Sequence, residues 1–138
     1  MPAAARPSRA ARVVVAIAAA GLLAGCGSGS PAGPRDAAVA FRAAWLQGDG
    51  TAACRLLAPG TAAEVVSSSG RPCPQGILDQ DAPAAGPVQA TQVWGGSAQV
   101  RLRGDTVFLS RFDGGWRVLA AGCVPRAGKP YDCELAGG

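Results

Sequence analysis

The chain has 138 residues, with 13 Lys and Arg, 9 Asp and Glu, no His and a formal net charge of +4. This length is typical of one small domain. The absence of His excludes a Ser-His-Asp triad. Residues 26–138 lack the Lys and Arg cluster that a nucleic-acid-binding surface requires.

The N-terminal segment predicts a lipoprotein signal peptide at residues 1–25. Arg6, Arg9 and Arg12 precede an apolar run that is shorter than the about 20 residues of a membrane-spanning helix but suits the core of a signal peptide. The run ends in Leu23-Ala24-Gly25-Cys26, which resembles a bacterial lipobox. The resemblance implies cleavage before Cys26, a diacylglycerol thioether on that cysteine, and a protein anchored at the outer, extracytoplasmic face of the cell membrane.

Cleavage would leave a nearly neutral domain on a short tether. It removes three arginines and no acidic residue, so the net charge falls from +4 to +1. Residues 27–34 contain only Gly, Ser, Pro and Ala, a composition typical of flexible linkers. We therefore assign residues 26–35 to a lipidated tether and residues 36–138 to the domain.

Four cysteines remain after Cys26, and an even number in a small exported domain predicts disulfides. The order along the chain favours Cys54–Cys73 and Cys123–Cys133, although all three pairings are open from sequence alone. There is no C-x-x-C pair and no His, so no metal site is predicted.

The first half of the domain predicts helices. They are expected from Arg35 or Asp36 to Gln47, from Ala52 to Leu57 with Thr51 as N-cap, and from Ala62 to about Ser67. Thr61 and Glu64 fit a capping box at the start of the third helix. One further turn is expected at residues 75–78, followed by a loop.

The second half changes to a period of two and predicts antiparallel strands at residues 88–94, 98–103, 106–112 and 116–122, with an edge strand at 131–135. Gly104-Asp105 and Asp113-Gly114 suit two-residue hairpin turns. These turns would pair Leu102 with Val107, Val100 with Leu109, Leu109 with Val118 and Val107 with Ala120. The resulting buried face contains Ala98, Val100, Leu102, Val107, Leu109, Val118 and Ala120.

Helices followed by an antiparallel sheet indicate an α+β fold. The chain resembles the small lipoproteins of high-GC Gram-positive bacteria in the NTF2-like (cystatin-like, SnoaL-shaped) superfamily. The resemblance lies in four segments: residues 40–49 (Ala-Phe-x-x-Ala-Trp with Gly-Asp), residues 53–59, residues 115–123 (beginning Gly-Trp-Arg-Val) and Tyr131-x-Cys133. It implies N-terminal helices packed on a curved sheet of four to five strands, forming a cone that can contain a pocket.

The acidic residues predict no catalytic site. Asp49, Asp105 and Asp113 lie in turn sequences, where Asp bonds to nearby backbone, and Glu64 is assigned to a helix cap. Tyr131, the one tyrosine, lies in a late loop. No catalytic residue, cofactor or metal is therefore predicted.

Two classes of function follow. The first is a non-catalytic binding or protein-interaction domain; the alternative is a small isomerase- or cyclase-like enzyme with a pocket inside the cone. Four aromatic residues are expected in the core or lining a pocket for a small apolar ligand: Phe41, Trp45, Trp94 and Trp116. Phe108 and Leu119 are expected as cross-strand neighbours on the outer face, a contact surface for a homodimer or a membrane-protein partner.

Overall fold

The computed structural model describes residues 31–137. The signal peptide and the lipidation site at Cys26 lie outside this range. Four α-helices come first: α1 (Pro34–Leu46), α2 (Gly50–Leu56), α3 (Pro59–Ser69) and α4 (Cys73–Gly76), with a 3₁₀ helix at Ile77–Asp79. Five strands follow: β1 (Val88–Trp94), β2 (Ser97–Leu102), β3 (Asp105–Phe112), β4 (Gly115–Arg126) and β5 (Lys129–Ala136).

The strands form one antiparallel sheet in chain order, from β1 at one side to β5 at the other. Each strand pairs with its sequence neighbour, as short hairpin connections dictate. The α+β prediction is confirmed, and so is the sheet of up to five strands.

The turn between β2 and β3 differs from the predicted one. Leu102 pairs with Asp105, and Val100 pairs with Val107, so the predicted pairs of Leu102 with Val107 and Val100 with Leu109 are wrong. The two turn residues are Arg103 and Gly104, and Gly104 takes the left-handed φ of 89°. The register shifts by two residues, which leaves every side chain on its predicted face.

The pairing of β3 with β4 begins as predicted, with Leu109 opposite Val118. A β-bulge follows in β4, so that Phe108 lies opposite Ala120. The predicted neighbours Phe108 and Leu119 are therefore not paired. Because the extra residue reverses the alternation of side chains, Ala121 is fully buried in place of Ala120.

Two predicted helix caps are wrong. The Ala52 backbone N–H donates to Asp49 Oδ1 at 2.9 Å, so Asp49 and not Thr51 caps α2. Helix α3 begins at Pro59, where a proline fits because the first helical N–H needs no partner. Thr61 therefore lies inside the helix, and its hydroxyl donates to the Leu119 carbonyl oxygen at 2.9 Å.

The helices pack against one face of the sheet. The Ala58 N–H donates to the Val118 carbonyl oxygen at 2.8 Å, which attaches the link between α2 and α3 to the centre of β4. One hydrophobic core lies between the helices and the sheet. Its large buried members are Phe41, Trp45, Leu57, Val65 and Ile77 from the helices, and Val100, Leu102, Val107, Leu109, Trp116, Val118 and Leu135 from the strands.

Both predicted disulfides are confirmed. Cys54–Cys73 joins α2 to the start of α4, with Cα atoms 6.1 Å apart. Cys123–Cys133 joins opposite positions of β4 and β5, with Cα atoms 4.0 Å apart. The second bridge fixes the last strand of the sheet to its only neighbour within the described residues.

Candidate functional site

The structure separates the four aromatic residues that the sequence placed in a core or pocket. Phe41, Trp45 and Trp116 are buried in the core. The rings of Phe41 and Trp45 lie 5.4 Å apart, and the Trp45 indole N–H donates to the Ile77 carbonyl oxygen at 3.1 Å. Trp94 is 56% exposed at the end of β1 and lies outside that core.

Asp105 was missed as an inward-facing acid. It is the first residue of β3, opposite Leu102, and its side chain is 0% exposed. Arg42 Nε lies 3.0 Å from its Oδ2, and the Cys123 backbone N–H donates to its Oδ1 at 3.0 Å. The prediction that Asp105 forms the turn is therefore wrong, because Asp105 follows the turn as the first residue of β3.

The helix sequence carried a signal for this pair. Ala38, Phe41, Arg42 and Trp45 recur at the spacing of one helix face, and all four are buried. An arginine on an apolar face requires an acidic partner, because an unpaired charge is costly to bury. Nothing in the local sequence identifies that partner as Asp105.

Burial and pairing act in opposite directions on both groups. Burial raises the pKa of the Asp105 carboxyl, while Arg42 and backbone N–H groups of Cys123, Gly122 and Thr106 oppose the rise. Burial lowers the pKa of Arg42, and Asp105 opposes that change.

Arg42 also connects the pair to its surroundings. Its guanidinium donates to the Pro83 carbonyl oxygen and lies over the Trp45 ring, 5.2 Å from the ring centre. This buried charge pair therefore connects helix α1, the loop at Pro83 and strand β3. We interpret it as a contact that stabilises the fold.

A groove lies elsewhere, between α3 and β5. It has a volume of about 250 Å³ and is lined by Glu64, Val65 and Ser68 of α3, by Gln80, and by residues 133–136 of β5. Val65 and Leu135 are buried and form its apolar floor, whereas Glu64 and Glu134 are exposed. None of these lining residues is Lys or Arg.

The groove runs along the backbone of β5. Side chains of a strand alternate between two faces, so a groove on one face would contact every second residue. Four consecutive residues line this one. Strand β5 is the last strand of the sheet as described, and the outer side of such a strand presents N–H and C=O groups that no neighbouring strand uses.

A single carbonyl oxygen sets the position of the two walls. The Leu119 oxygen accepts hydrogen bonds from the Thr61 hydroxyl of α3 at 2.9 Å and from the Gly137 N–H just after β5 at 3.0 Å. Helix α3 and the end of β5 are thus both fixed to β4. Glu64 and Ser68, four residues apart, then lie on the same side of α3.

The predicted contact surface is only partly open. Phe108 is half-buried, and the ring of Tyr131 packs edge-on against it at 5.0 Å. The Gln99 side-chain amide donates to the Tyr131 hydroxyl at 3.1 Å, which holds Tyr131 over the outer face. Leu119 is also half-buried, at the bulge in β4. A role for Phe108 and Leu119 in contacts with a second copy stays a prediction.

Within residues 31–137, His, Cys, Asp and Glu side chains form no group of three that could hold a metal ion. In the same range, no helix combines the length and the apolar character needed to cross a membrane. Comparison of the chain with protein-family models, with curated proteins and with solved structures found no match. Function is therefore inferred from the residues and their geometry.

Proposed function

We propose that this chain is a membrane-anchored, extracytoplasmic lipoprotein whose domain binds a partner and catalyses no reaction. The groove between α3 and β5 carries the proposal. It combines an apolar floor, two exposed carboxylates and a strand edge, which are the parts of a recognition surface.

The position of Asp105 supports binding over catalysis. A general acid or base must reach the substrate, and the Asp105 carboxyl is buried in the core and paired with Arg42. The isomerase- or cyclase-like alternative needs a pocket inside the cone. It has less support, because Phe41, Trp45 and Trp116 pack within the core where that pocket would lie.

The proposed address rests on the lipobox at Leu23-Ala24-Gly25-Cys26. Two acyl chains on Cys26 would anchor the protein stably, whereas one chain binds only reversibly. The two disulfides are consistent with this address, since such bridges persist in oxidising compartments outside the cytoplasm.

The proposal includes membership of the NTF2-like superfamily and a cone-shaped fold. The motif around Phe41 and Trp45 supports it, as does the order of helices before a meandering antiparallel sheet. The bulge at Leu119 and a second register shift between Ala120 and Cys123 support the curvature, because a bulge bends its strand and increases the twist.

The anchor is tested by Cys26→Ser in a bacterial host fed a labelled fatty acid. We expect the wild-type protein to carry label, to fractionate with membrane and to be digested by protease added to intact cells stripped of their wall. The variant should lose the label and leave the membrane. A labelled, membrane-bound Cys26→Ser protein would contradict the proposal, as would a wild-type protein that the protease cannot reach.

A further inference from the structure

We infer that the groove binds an extended, basic peptide segment, which adds to β5 as a sixth strand of the sheet. The inference rests on the proposed function, because it names the class of partner that the binding domain recognises. Three features carry it: the edge of β5 that no described strand pairs with, the charge of the groove and the like charges that a self-pairing about Cys133 would bring together.

The edge supplies the backbone contacts. Residues 133–136 of β5 line the groove consecutively, and at about 3.3 Å per residue they offer roughly 13 Å of strand edge. A peptide that pairs with this edge gains main-chain hydrogen bonds, and its alternate side chains enter neighbouring pockets. The Cys123–Cys133 bridge fixes β5 to β4, so β5 is preorganised before the peptide binds, which lowers the entropic cost of binding.

The charge of the groove selects the peptide. Glu64 on the helix wall and Glu134 on the strand wall are both exposed, and the lining residues include no basic side chain. Asp132, just outside the lining, is already engaged by Arg126 at 2.8 Å. Because Glu134 and Leu135 point to opposite faces of β5, Lys or Arg side chains on one side of the peptide would face Glu134, while apolar side chains on the other side would lie against Leu135 and α3.

Like charges disfavour one symmetric pairing of this edge with a second copy of the chain. Two β5 strands paired antiparallel about Cys133 would place Asp132 of each copy directly opposite Glu134 of the other. Like charges directly opposite each other destabilise a strand pair. Glu134 thus both disfavours this self-pairing and favours a basic partner.

The test uses the isotope-labelled chain from residue 26 with Cys26→Ser, which contains every described helix and strand. The probe is an acetylated and amidated hexapeptide of alternating Lys and Val. We expect it to shift the amide resonances of residues 133–136 and of Glu64–Ser68 in a nuclear magnetic resonance titration. The variant Glu134→Lys should weaken binding about tenfold, because an attraction becomes a repulsion. The matched control Asp36→Lys has the same charge change at an exposed site outside the groove and should bind the probe as the wild type does.

A second peptide separates strand addition from simple charge attraction. It has the same sequence but carries an N-methyl group on every backbone nitrogen, which removes the N–H donors of both strand edges and keeps the charge. We expect it not to bind. The inference is overturned if this peptide binds as well as the first or if both charge variants weaken binding equally. It is also overturned if light scattering shows a dimer of the free chain and the β5 amide resonances shift when that dimer is diluted to monomer.

Failure of this inference is distinguishable from failure of the proposed function. If the chain is lipidated at Cys26 but its β5 amides do not respond to the probe, the peptide site is excluded and the membrane anchor is unaffected. If the chain binds the probe but is never lipidated, the membrane anchor is excluded and the peptide site is unaffected.

Discussion

Arg42 Nε and Asp105 Oδ2 lie 3.0 Å apart in the core, and their side chains are 3% and 0% exposed. The two atoms are close but are not aligned for a hydrogen bond, so their attraction is mainly Coulombic. Such a pair holds α1 against β3, yet removing both charges from water offsets much of that attraction.

We predict strong coupling between these two residues. Arg42→Met or Asp105→Asn alone should each lower the free energy of unfolding by about 3–5 kcal/mol, because each leaves a buried group without its partner. Arg42→Met combined with Asp105→Asn should lower it by much less than the sum, since no charge remains buried. Urea unfolding of all four proteins measures the coupling, and additive losses would contradict it.

The pH dependence of stability tests which effect dominates at Asp105. Burial raises its pKa above the ordinary value of 3.8, so the folded state binds the proton more tightly than the unfolded state. The corresponding stability is fully present below pH 3.8 and is lost as the pH rises through the folded-state pKa. The unfolding free energy of the wild type minus that of Asp105→Asn should therefore decrease as the pH rises from 3.8 through the folded-state pKa of Asp105. An increasing difference would show that attraction to Arg42 outweighs burial.

Thr61 is predicted to stabilise the fold through Leu119 and not as a helix cap. Thr61→Val removes the hydroxyl bond to the Leu119 carbonyl oxygen and should lower the free energy of unfolding by about 1 kcal/mol. Glu64→Ala should change it by less than about 0.5 kcal/mol, because Glu64 is exposed and caps no helix. The capping-box interpretation instead requires both variants to lose stability, which thermal or urea unfolding decides.

Gly50 is predicted to be intolerant of any side chain. A Cβ at this position would overlap the backbone carbonyl of Pro74, where α2 meets α4. Gly50→Ala should therefore lower the free energy of unfolding by about 1–3 kcal/mol, despite the better helix propensity of Ala. Gly96→Ala is the control, because its Cβ would meet open space; equal stability of the two variants would contradict the close contact.

Turn and period signals could predict much of the sheet because they are local. Strand β1 begins and ends at the predicted residues, and Val100, Val107 and Leu109 are buried as their alternation requires. The Asp113-Gly114 turn was placed correctly. At the other turn, Arg103-Gly104 and Gly104-Asp105 both contain a usable glycine, and the observed turn is the one that places Asp105 beside Arg42, a contact distant in sequence.

The groove and the bulge could not be predicted, because both depend on contacts between distant parts of the chain. The bulge at Leu119 has no glycine or proline to indicate it, and its carbonyl oxygen meets Thr61, 58 residues away in sequence. Glu64 was assigned to a helix cap, and Glu134 lies in the predicted edge strand. Only the packing of α3 beside β5 brings these two carboxylates to one groove.

The two disulfides should differ in what they protect. Loss of either bridge, through Cys54→Ala with Cys73→Ala or Cys123→Ala with Cys133→Ala, should lower the free energy of unfolding by about 2–4 kcal/mol.

The Cys123–Cys133 bridge has an additional local effect, because β5 pairs only with β4 among the described strands. Without it, amide hydrogens of residues 129–136 should exchange much faster while those of β2 and β3 follow only the global loss of stability. The Cys54–Cys73 variant is the matched control, since its bridge joins helices and should leave β5 protected relative to the rest of the sheet. Equal exchange in β5 of the two variants would show that the backbone pairing with β4 holds this edge without the bridge.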